Sequence, residues 1–219
     1  YKLPVDWTVY PHCLPSEVVE RIADADIVLT NKTAINAHTL AQVSQLKLIS
    51  LTATGTNIID LEAAANHGVA VCNAVGYGTA SVVQHVWALL LALTTNLSSY
   101  SRTTVDGTWA QSKFFCLLDY PVRELEGKTL GIVGAGDLGT GVAKIAEAFG
   151  MKVIFAALPG RNYSDDLLRQ PFNELLPVVD VLSLHCPLTN ETQGLIGAEQ
   201  LSLMKSRAVR INSARGGLI

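Results

Sequence analysis

Short apolar runs alternate with amphipathic stretches along the first 75 residues. Runs rich in Ile, Val and Leu are typical of buried strands, and the stretches between them repeat apolar residues at helical spacing. The pattern predicts strands at 26–30, 46–52 and 69–72 and helices near 39–45 and 60–67. Gly68 is placed to end the second helix. This alternation indicates parallel strands joined by crossover helices.

A second alternating set begins at Lys128 and continues to the end of the chain. It predicts strands at 128–133, 151–156, 179–184 and 207–212, helices at 137–149 and 197–204, and a weaker helical region at 164–177. Gly150 lies just past the first of these helices. The two sets share a βα rhythm without a clear sequence repeat, and 219 residues are enough for one large domain or two small ones.

The stretch between the two sets begins with VGYGTASVVQHVWALLLAL. Ser81 and Gln84 have the spacing of a capping box, and an apolar helix over 81–93 is predicted to follow. This helix is apolar nearly all round, which favours burial between lobes or between subunits. Residues 95–126 lack a clear period and are predicted to form a connector.

The segment GIVGAGDLGTG, residues 131–141, follows a predicted strand and opens a predicted helix. In such a loop Gly134 permits a tight turn, Gly136 lets the backbone approach a pyrophosphate, and Gly139 lets the helix pack on the strand. The helix N-terminus presents unpaired N–H groups and the positive end of its dipole to phosphates. A glycine turn in another kind of α/β protein is the alternative, but the βαβ context favours a dinucleotide.

The end of the second strand of such a unit normally carries an acidic residue that binds the ribose hydroxyls. Here that position is Ala157, and the next acid is Asp165. Without a carboxylate, a 2′-phosphate meets no repulsion, and Arg161 lies close enough in sequence to pair with it. The cofactor is therefore predicted as NAD or NADP, with Arg161 either a cofactor ligand or a solvated loop residue.

The last strand is followed by Ser213-Ala-Arg-Gly-Gly217. Ligands of open α/β sheets lie outside the carboxyl ends of the strands, so Arg215 is placed to bind a carboxylate or a carbonyl. Gly216 and Gly217 are predicted to let the backbone turn sharply beside it. A surface arginine without a function is the alternative.

Charge and composition narrow the classes of partner. The net charge is −3 and no run of Lys or Arg occurs, which argues against nucleic acid or an anionic membrane as the main partner. The longest apolar run, Val86 to Leu93, is far shorter than the roughly 18 residues of a membrane span. We therefore expect neither a nucleic acid nor a membrane partner.

Cysteine and histidine usage points to a metal-free protein in a reducing compartment. The four cysteines are scattered, with no CxxC pair and no signal peptide, so free thiols in the cytoplasm are predicted. The histidines share no metal spacing. His185 is predicted to pack or to bond backbone, and His85 to be a core or interface residue. Arg210, inside an apolar strand, fits only a strand-edge or interface position.

Several motifs together carry a family resemblance. GIVGAGDLG, SLHCPLTNETQGLIG and INSARGGLI stand in this order and resemble the D-isomer-specific 2-hydroxyacid dehydrogenases. The upstream stretch TATGTNIIDLEAAANHGVAVCNAVGYGTASVVQHVWALLLAL is similar to their glycerate dehydrogenase, or hydroxypyruvate reductase, branch. The resemblance covers nearly the whole chain from about Asp26 onward.

The resemblance implies a fold and an activity. The fold would be a Rossmann-type doubly wound parallel sheet, the dinucleotide-binding lobe with its linking helix at 76–219, plus a flavodoxin-like substrate lobe at 1–75, with a cleft between them. Hydride would pass between NAD or NADP and C2 of a small 2-keto or 2-hydroxy acid, such as hydroxypyruvate and D-glycerate or glyoxylate and glycolate. The family usually forms dimers through the cofactor lobe, so a homodimer is expected.

The resemblance also assigns roles to residues. Arg215 matches the catalytic arginine that polarises the keto group, the backbone of Thr54 and Gly55 matches the loop that holds the substrate carboxylate, and Tyr77 falls where some relatives touch substrate. Asp137 and Leu138 match the pair over the pyrophosphate, Cys186, Pro187 and Thr192 the loop beside the nucleotide, and Ser213 and Ala214 the stretch before the arginine. The predicted cofactor-binding set consists of these seven residues, Asp137 to Ala214, together with Gly134, Gly136, Gly139, Arg161 and Arg215.

Two departures from the family pattern leave alternatives open: Ala157 stands where the acid is expected, and the family's acid–base pair is not in the given sequence. The family's proton-donating His and its Glu lie downstream of the arginine, and the 219 residues begin with Tyr1 and end four residues after Arg215. We therefore expect a truncated chain, a piece of a longer protein, or else a polypeptide that cannot turn over. A catalytically silent nucleotide-binding regulator on the same fold is the main alternative, and a formate- or phosphite-type dehydrogenase is a third.

Overall fold

A computed structural model describes residues 4–158, 161–164 and 167–219, and the chain divides into two compact units. Unit 1 ends at Tyr77 and unit 2 begins at Gly78. Each unit has its own sheet, and every strand pairing among the described residues is parallel. The chain is therefore an α/β protein, as its alternating pattern predicts.

Unit 1 is built on a three-stranded sheet in the order β1-β2-β3. After a 3₁₀ turn at Pro15–Glu17, its elements are α1 (Val18–Ile22), β1 (Ile27–Thr30), α2 (Ala37–Leu40), β2 (Leu48–Leu51), α3 (Leu61–Asn66) and β3 (Ala70–Asn73). Its core is formed by apolar residues of the helices and of β2, with Leu40, Ile49 and Ala64 fully buried.

Polar side chains cap the N-termini of two helices of unit 1, α2 and α3. The Asp60 carboxylate accepts a hydrogen bond from the Ala63 N–H at the start of α3 (2.9 Å), and Gly68, with φ +70°, follows its end as predicted. Asn36 caps α2 in the same way, through the Thr39 N–H (3.0 Å). The helix predicted near 39–45 was therefore placed too late, because Asn36 starts it at Ala37.

Unit 2 is built on a five-stranded sheet in the order β6-β5-β4-β7-β8. Its elements are α4 (Thr79–Thr94), α5 (Leu97–Val105), β4 (Thr129–Val133), α6 (Asp137–Ala148), β5 (Lys152–Ala157), β6 (Arg169–Pro171), α7 (Phe172–Leu175), β7 (Val181–Leu184), α8 (Ala198–Leu203), β8 (Val209–Asn212) and a closing 3₁₀ turn at Gly216–Leu218.

Counted within unit 2, this strand order is 3-2-1-4-5, the order of a Rossmann-type doubly wound sheet. The first strand, β4, has β5 on one side and β7 on the other, so the direction of winding reverses between β4 and β7. Ligands of such sheets bind at the carboxyl edge of this switch point. Arg210 is exposed on β8, the outer strand at one side of the described sheet, which accounts for a charge in an apolar strand.

The long helix α4 differs from its prediction at the start and around its circumference. It begins at Thr79 with Gly78 as its N-cap, and no side-chain hydrogen bond caps it, so the predicted Ser81–Gln84 capping box is wrong. One side of α4, with Val86 and Trp87, is buried in the core of unit 2. Leu89 and Leu93 are exposed on the other side, and His85 is exposed rather than in the core.

Two further predictions were wrong because short or polar segments carry little periodic signal. Residues 95–126, predicted as a connector, contain the helix α5, whose sequence LSSYSRTTV is mostly polar. The weak helical region predicted at 164–177 contains instead the three-residue strand β6 and the single turn α7. β6 pairs with the end of β5, with Ala157 opposite Pro171.

Candidate active site

The glycine loop between β4 and α6 has the geometry that its sequence predicts. Gly134 has φ +102°, and a β-carbon there would lie 2.8 Å from the Cys186 nitrogen and the His185 carbonyl. A β-carbon at Gly139 would lie 1.9 Å from the Gly134 oxygen. Neither position accepts a side chain, because strand, helix and the neighbouring loop approach one another too closely.

Gly136 has a different reason for being glycine. It is the N-cap of α6 in an extended conformation that any residue can adopt, and a β-carbon there would meet no atom within 4 Å. The missing side chain therefore keeps space open in front of the helix. Asp137 and Leu138 form the first turn of α6, whose N–H groups have no acceptor inside the helix. An open cradle at the positive end of a helix fits the diphosphate of a dinucleotide.

A cavity of about 240 Å³ lies at this loop. Five of the residues predicted to bind cofactor line it. Six others line it too, and three of these, Tyr163, Arg169 and His185, have polar side chains that the sequence analysis did not assign to the cofactor. The described lining residues are Gly134, Ala135, Gly136, Ala156, Leu158, Arg161, Tyr163, Arg169, His185, Cys186 and Pro187. None of these eleven carries a carboxylate.

At the end of β5 the cavity is bordered by cations. Ala157 is half-buried at the last position of the strand, and Arg161 is exposed at the cavity wall. Asp165, the next acid in the sequence, lies outside the described residues. Arg169 also lines the cavity, with its guanidinium carbon 3.9 Å from the centre of the Tyr163 ring. Sequence reasoning missed Arg169 because β6 is too short to show a period.

The loop after β7 forms the opposite wall. The N–H of His185 donates to the Val133 carbonyl (2.7 Å), and its Nε2 lies 2.8 Å from the Ser183 hydroxyl. Burial lowers the pKa of His185 from 6.5 to about 4, so the imidazole is neutral at pH 7. The imidazole therefore has the packing role that was one of the two predicted for it, and its hydrogen-bond partner is a hydroxyl and not the backbone.

Cys186 and Thr192 support this wall in different ways. Burial raises the pKa of the Cys186 thiol, against the opposing effect of the Arg161 charge, so the thiol stays protonated. The Thr192 hydroxyl is buried, donates to the Pro187 carbonyl (2.7 Å) and accepts from the Thr189 N–H (2.8 Å). Thr192 therefore shapes the loop that presents Pro187, and it is absent from the described cavity lining.

Arg215 follows β8 at the same carboxyl edge of the sheet. Its carbonyl accepts a hydrogen bond from the Asn212 side-chain amide (2.9 Å), and its exposed guanidinium donates to the Ala214 carbonyl (2.9 Å). Ser213 and Ala214 lead into it, and the Ser213 hydroxyl is buried without a hydrogen-bond partner in the structure. None of these three residues is in the described lining of the cavity.

The loop after β8 is fixed to the loop after β7. The Gly194 N–H donates to the Gly217 carbonyl (2.8 Å), and the Ile196 N–H donates to the Leu218 carbonyl (2.9 Å). A β-carbon at Gly217 would lie 3.1 Å from Leu188, and neither Gly216 nor Gly217 has a positive φ. At Gly217 the glycine serves close packing, so the sharp turn predicted there is not the reason for it.

The predicted substrate residues of unit 1 lie at the carboxyl edge of its own sheet. The Thr54 hydroxyl donates to the Ala74 carbonyl (2.8 Å), and the Asn73 amide donates to the Thr54 carbonyl (2.7 Å). These bonds tie the loop containing Thr54 and Gly55, after β2, to the end of β3. Tyr77 is the last residue of unit 1 and its side chain is 69% exposed.

Other kinds of site receive no support from the described residues. No three His, Cys, Asp or Glu side chains among them converge as metal ligands would. All four cysteines are free, as predicted. No single described helix is long and apolar enough to cross a membrane. The helices α4 and α5 have sufficient length and apolar composition only when they are taken as a pair, and this pair is bent by 69°.

Comparisons with known proteins agree with this geometry. Residues 87–219 match the family described as "D-isomer specific 2-hydroxyacid dehydrogenase, NAD binding domain". A glycerate dehydrogenase of Methylorubrum extorquens is 44% identical over 206 residues, which cover 94% of this chain and 64% of that protein. A hydroxypyruvate reductase of Blautia hydrogenotrophica is 38% identical over 205 residues, covering 93% of this chain and 64% of that protein.

The fold comparison gives the same result. An acyclic imino acid reductase, solved in complex with NADPH and D-Arg, superposes with a TM-score of 0.86 at 31% identity, covering 96% of this chain and 67% of that one. The chain thus spans about two thirds of the length of the relatives it matches.

Proposed function

The chain belongs to the D-isomer-specific 2-hydroxyacid dehydrogenases, and from that premise we propose that the intact protein transfers a hydride between NAD or NADP and C2 of a small 2-keto or 2-hydroxy acid. The observation that carries the proposal is the position of two motifs. The open glycine cradle before α6 and the loop containing Arg215 both follow the carboxyl ends of strands in one sheet.

The residues around the cradle fit a dinucleotide. The N–H groups of Asp137 and Leu138 would bind the diphosphate, Gly136 would give it room, and Pro187 would border the nucleotide from the loop after β7. When bound, the nicotinamide supplies or takes up the hydride. The neutral His185 and the protonated Cys186 place no negative charge beside the phosphates.

Arg215 is proposed to act on the keto group. Reduction of a keto acid develops negative charge on the C2 oxygen, and a guanidinium held in place stabilises that charge. The hydrogen bond from Asn212 to the Arg215 carbonyl fixes the backbone from which this side chain extends. We assign the backbone of Thr54 and Gly55 to the substrate carboxylate and Tyr77 to substrate contact, and these roles remain predictions.

The substrate proposed first is hydroxypyruvate, with D-glycerate as its reduced form. Two relatives at 44% and 38% identity are named glycerate dehydrogenase and hydroxypyruvate reductase. Glyoxylate and glycolate are the second pair, since more distant relatives are named glyoxylate reductase.

A homodimer is proposed because a large apolar surface of unit 2 has no partner within the described chain. Phe114, Phe115 and Leu118 are 75%, 98% and 83% exposed, and Leu97 of α5 and Leu93 of α4 are exposed as well. A cavity of about 450 Å³ opens in the same region, between α5 and residues 116–122. A second copy is the proposed occupant, because patches of this kind mark interfaces and twofold pairs are the commonest oligomers.

We also propose that the protein works in the cytoplasm. Cys72 is exposed and Cys13 and Cys116 are half-buried, and none of them is paired. Accessible unpaired thiols of this kind persist in a reducing compartment.

The activity is tested by mixing the intact protein with NADH or NADPH and hydroxypyruvate and following the loss of reduced-nicotinamide absorbance. Turnover is expected, and Arg215→Leu should lower kcat/KM by about 100-fold or more while NADH binding is retained, because the stabilised charge develops only during reaction. Arg210→Gln, an exposed arginine on β8, is the matched control. Cofactor binding without turnover of any small keto acid would favour the nucleotide-binding regulator instead.

A further inference from the structure

We propose that Asn73 is a positioning residue for the substrate, because its side-chain amide determines the direction of the Gly55 backbone N–H. The inference rests on the proposed function, which assigns the backbone of Thr54 and Gly55 to the substrate carboxylate. It adds a residue that acts through the orientation of one peptide group and not by contact with the substrate.

The peptide group between Thr54 and Gly55 is held by its carbonyl. The Asn73 Nδ2 donates to the Thr54 carbonyl at 2.7 Å. Asn73 is the last residue of β3, and the parallel register places its backbone opposite Leu51 of β2. The peptide bond is trans, and in a planar trans peptide the C=O and the N–H point in opposite directions. The Gly55 N–H therefore points away from Asn73 and from the end of β3.

The preceding peptide group is held in the same way by the backbone. The Ala74 N–H donates to the Ala53 carbonyl (3.1 Å), so the Thr54 N–H also points away from the end of β3. The Thr54 hydroxyl donates to the Ala74 carbonyl (2.8 Å), which is a second bond between the same two segments. Both N–H groups that are assigned to the carboxylate are thus directed away from β3.

These N–H groups are available to a ligand. Neither the Thr54 N–H nor the Gly55 N–H has a hydrogen-bond acceptor within the part of the chain that the structure describes. Thr54 is exposed and Gly55 is half-buried. Successive backbone N–H groups that turn to one side form a concave site for an anion. A carboxylate, with two acceptor oxygens, fits such a pair of donors.

Asn31 anchors the same loop but acts on a different peptide group. Its Nδ2 donates to the carbonyl and to the hydroxyl of Thr52, each at 3.1 Å. By the same geometry it orients the Ala53 N–H, which is not assigned to the substrate. Asn31 and Asn73 are therefore two amides that bind carbonyls of one loop, and only Asn73 acts on a peptide group with a carboxylate donor. Asn31 is the matched control.

The test compares the KM and kcat of Asn73→Ala and Asn31→Ala in the intact protein, with saturating reduced cofactor and varied hydroxypyruvate. Asn73→Ala should raise KM about tenfold, because a hydrogen bond to a charged group contributes about this factor. Its kcat should stay within about twofold of the wild type, since the carboxylate keeps its charge during the reaction and is bound equally in the ground and transition states. Asn31→Ala should change KM by no more than about twofold, because no donor to the carboxylate is lost.

Two further measurements separate the direction of the N–H from the stability of the loop. Asn73→Gln keeps an amide donor, so its KM should return to within about threefold of the wild type. In the wild type with bound NADH, hydrogen exchange of the Gly55 amide, followed by nuclear magnetic resonance, should slow when D-glycerate is added. The second measurement does not depend on the folding of any variant.

Three results would overturn this inference and leave the dehydrogenase proposal intact. They are an unchanged KM in Asn73→Ala, an equal rise of KM in Asn73→Ala and Asn31→Ala, and exchange of the Gly55 amide that D-glycerate does not slow. A wild type that turns over neither hydroxypyruvate nor glyoxylate would instead overturn the proposed function, and the inference with it.

Discussion

His185 shows how one half-buried side chain makes stability depend on pH. Its imidazole borders the nucleotide cavity, its Nε2 meets the Ser183 hydroxyl, and its Nδ1 is buried without a partner in the structure. A charged imidazole in this position would lose hydration without gaining an anion. The fold therefore favours the neutral form, and a cofactor phosphate would have to be bound by N–H groups and arginines.

The free energy of unfolding should fall as the pH is lowered from about 6.5 to about 4. The pKa of His185 is 6.5 in the unfolded chain and about 4 in the folded one, so within this window only the unfolded state takes up the proton. The loss is roughly 1.4 kcal/mol per pH unit, and it levels off below the folded pKa. Urea unfolding of the wild type and His185→Gln across this range measures it. The same pH dependence in both proteins would contradict the assignment.

At the scale of elements, the junction of β4 and α6 uses its glycines for two separate purposes. Gly139 is buried against the Gly134 carbonyl, so it determines how closely the helix approaches the strand. A β-carbon at Gly136 would meet no atom within 4 Å, so the absence of a side chain there leaves the helix N-terminus accessible. The first contributes to stability and the second to ligand binding, although both belong to the same motif.

Substitutions should separate these purposes. Gly139→Ala should destabilise the fold by about 2–3 kcal/mol, because its methyl group forces backbone atoms apart, and this exceeds the gain of about 1 kcal/mol in helix propensity. Gly136→Asn should leave stability within about 0.5 kcal/mol, since Asn is a good N-cap, but its side chain fills the cradle and should weaken NADH at least tenfold. Chemical denaturation and cofactor titration measure the two effects.

Gly197→Asn is the control for the second substitution, because Gly197 is the N-cap of α8 and does not line the cavity. It should affect neither stability nor cofactor binding by much. Strong NADH binding by Gly136→Asn would show that the diphosphate does not use the N-terminus of α6.

At the scale of the whole molecule, the main unexplained feature is the exposed apolar surface of unit 2 that contains Phe114, Phe115 and Leu118. The buried side of α4 belongs to the core of unit 2, while Leu89 and Leu93 on its other side are exposed. The sequence of α4 is apolar on both sides, and this predicted burial nearly all round. In the structure only one of these sides packs in the core, and the other is exposed. The remaining side is where a second copy is proposed.

Phe115→Asp should convert the dimer to a monomer, because the charge would have to be desolvated in the interface. The molar mass measured by light scattering should fall by half, and the far-ultraviolet circular dichroism should not change, since Phe115 is 98% exposed. Val9→Asp places the same charge on a residue of unit 1 that is 80% exposed, and it should leave the dimer intact. A wild type that is monomeric at micromolar concentration would refute the proposed pairing.

Local patterns in the sequence were sufficient for the elements that carry the nucleotide cradle. The spacing of Gly134, Gly136 and Gly139 and the apolar runs around them encode a strand, a tight turn and a helix, because each depends on backbone conformation and neighbouring residues. Arg215 could be placed for the same reason, since it directly follows a strand whose carboxyl end faces the ligand edge.

Only the tertiary structure decided which side chains meet at the far end of that cradle. Arg169 comes from a three-residue strand without a periodic signal, and strand pairing brings it beside the end of β5, where Tyr163 holds it. The packing of α4 likewise determines which of its apolar sides is buried. Such contacts join residues distant in sequence, and the free energy that fixes them comes from packing and strand register, which no local pattern contains.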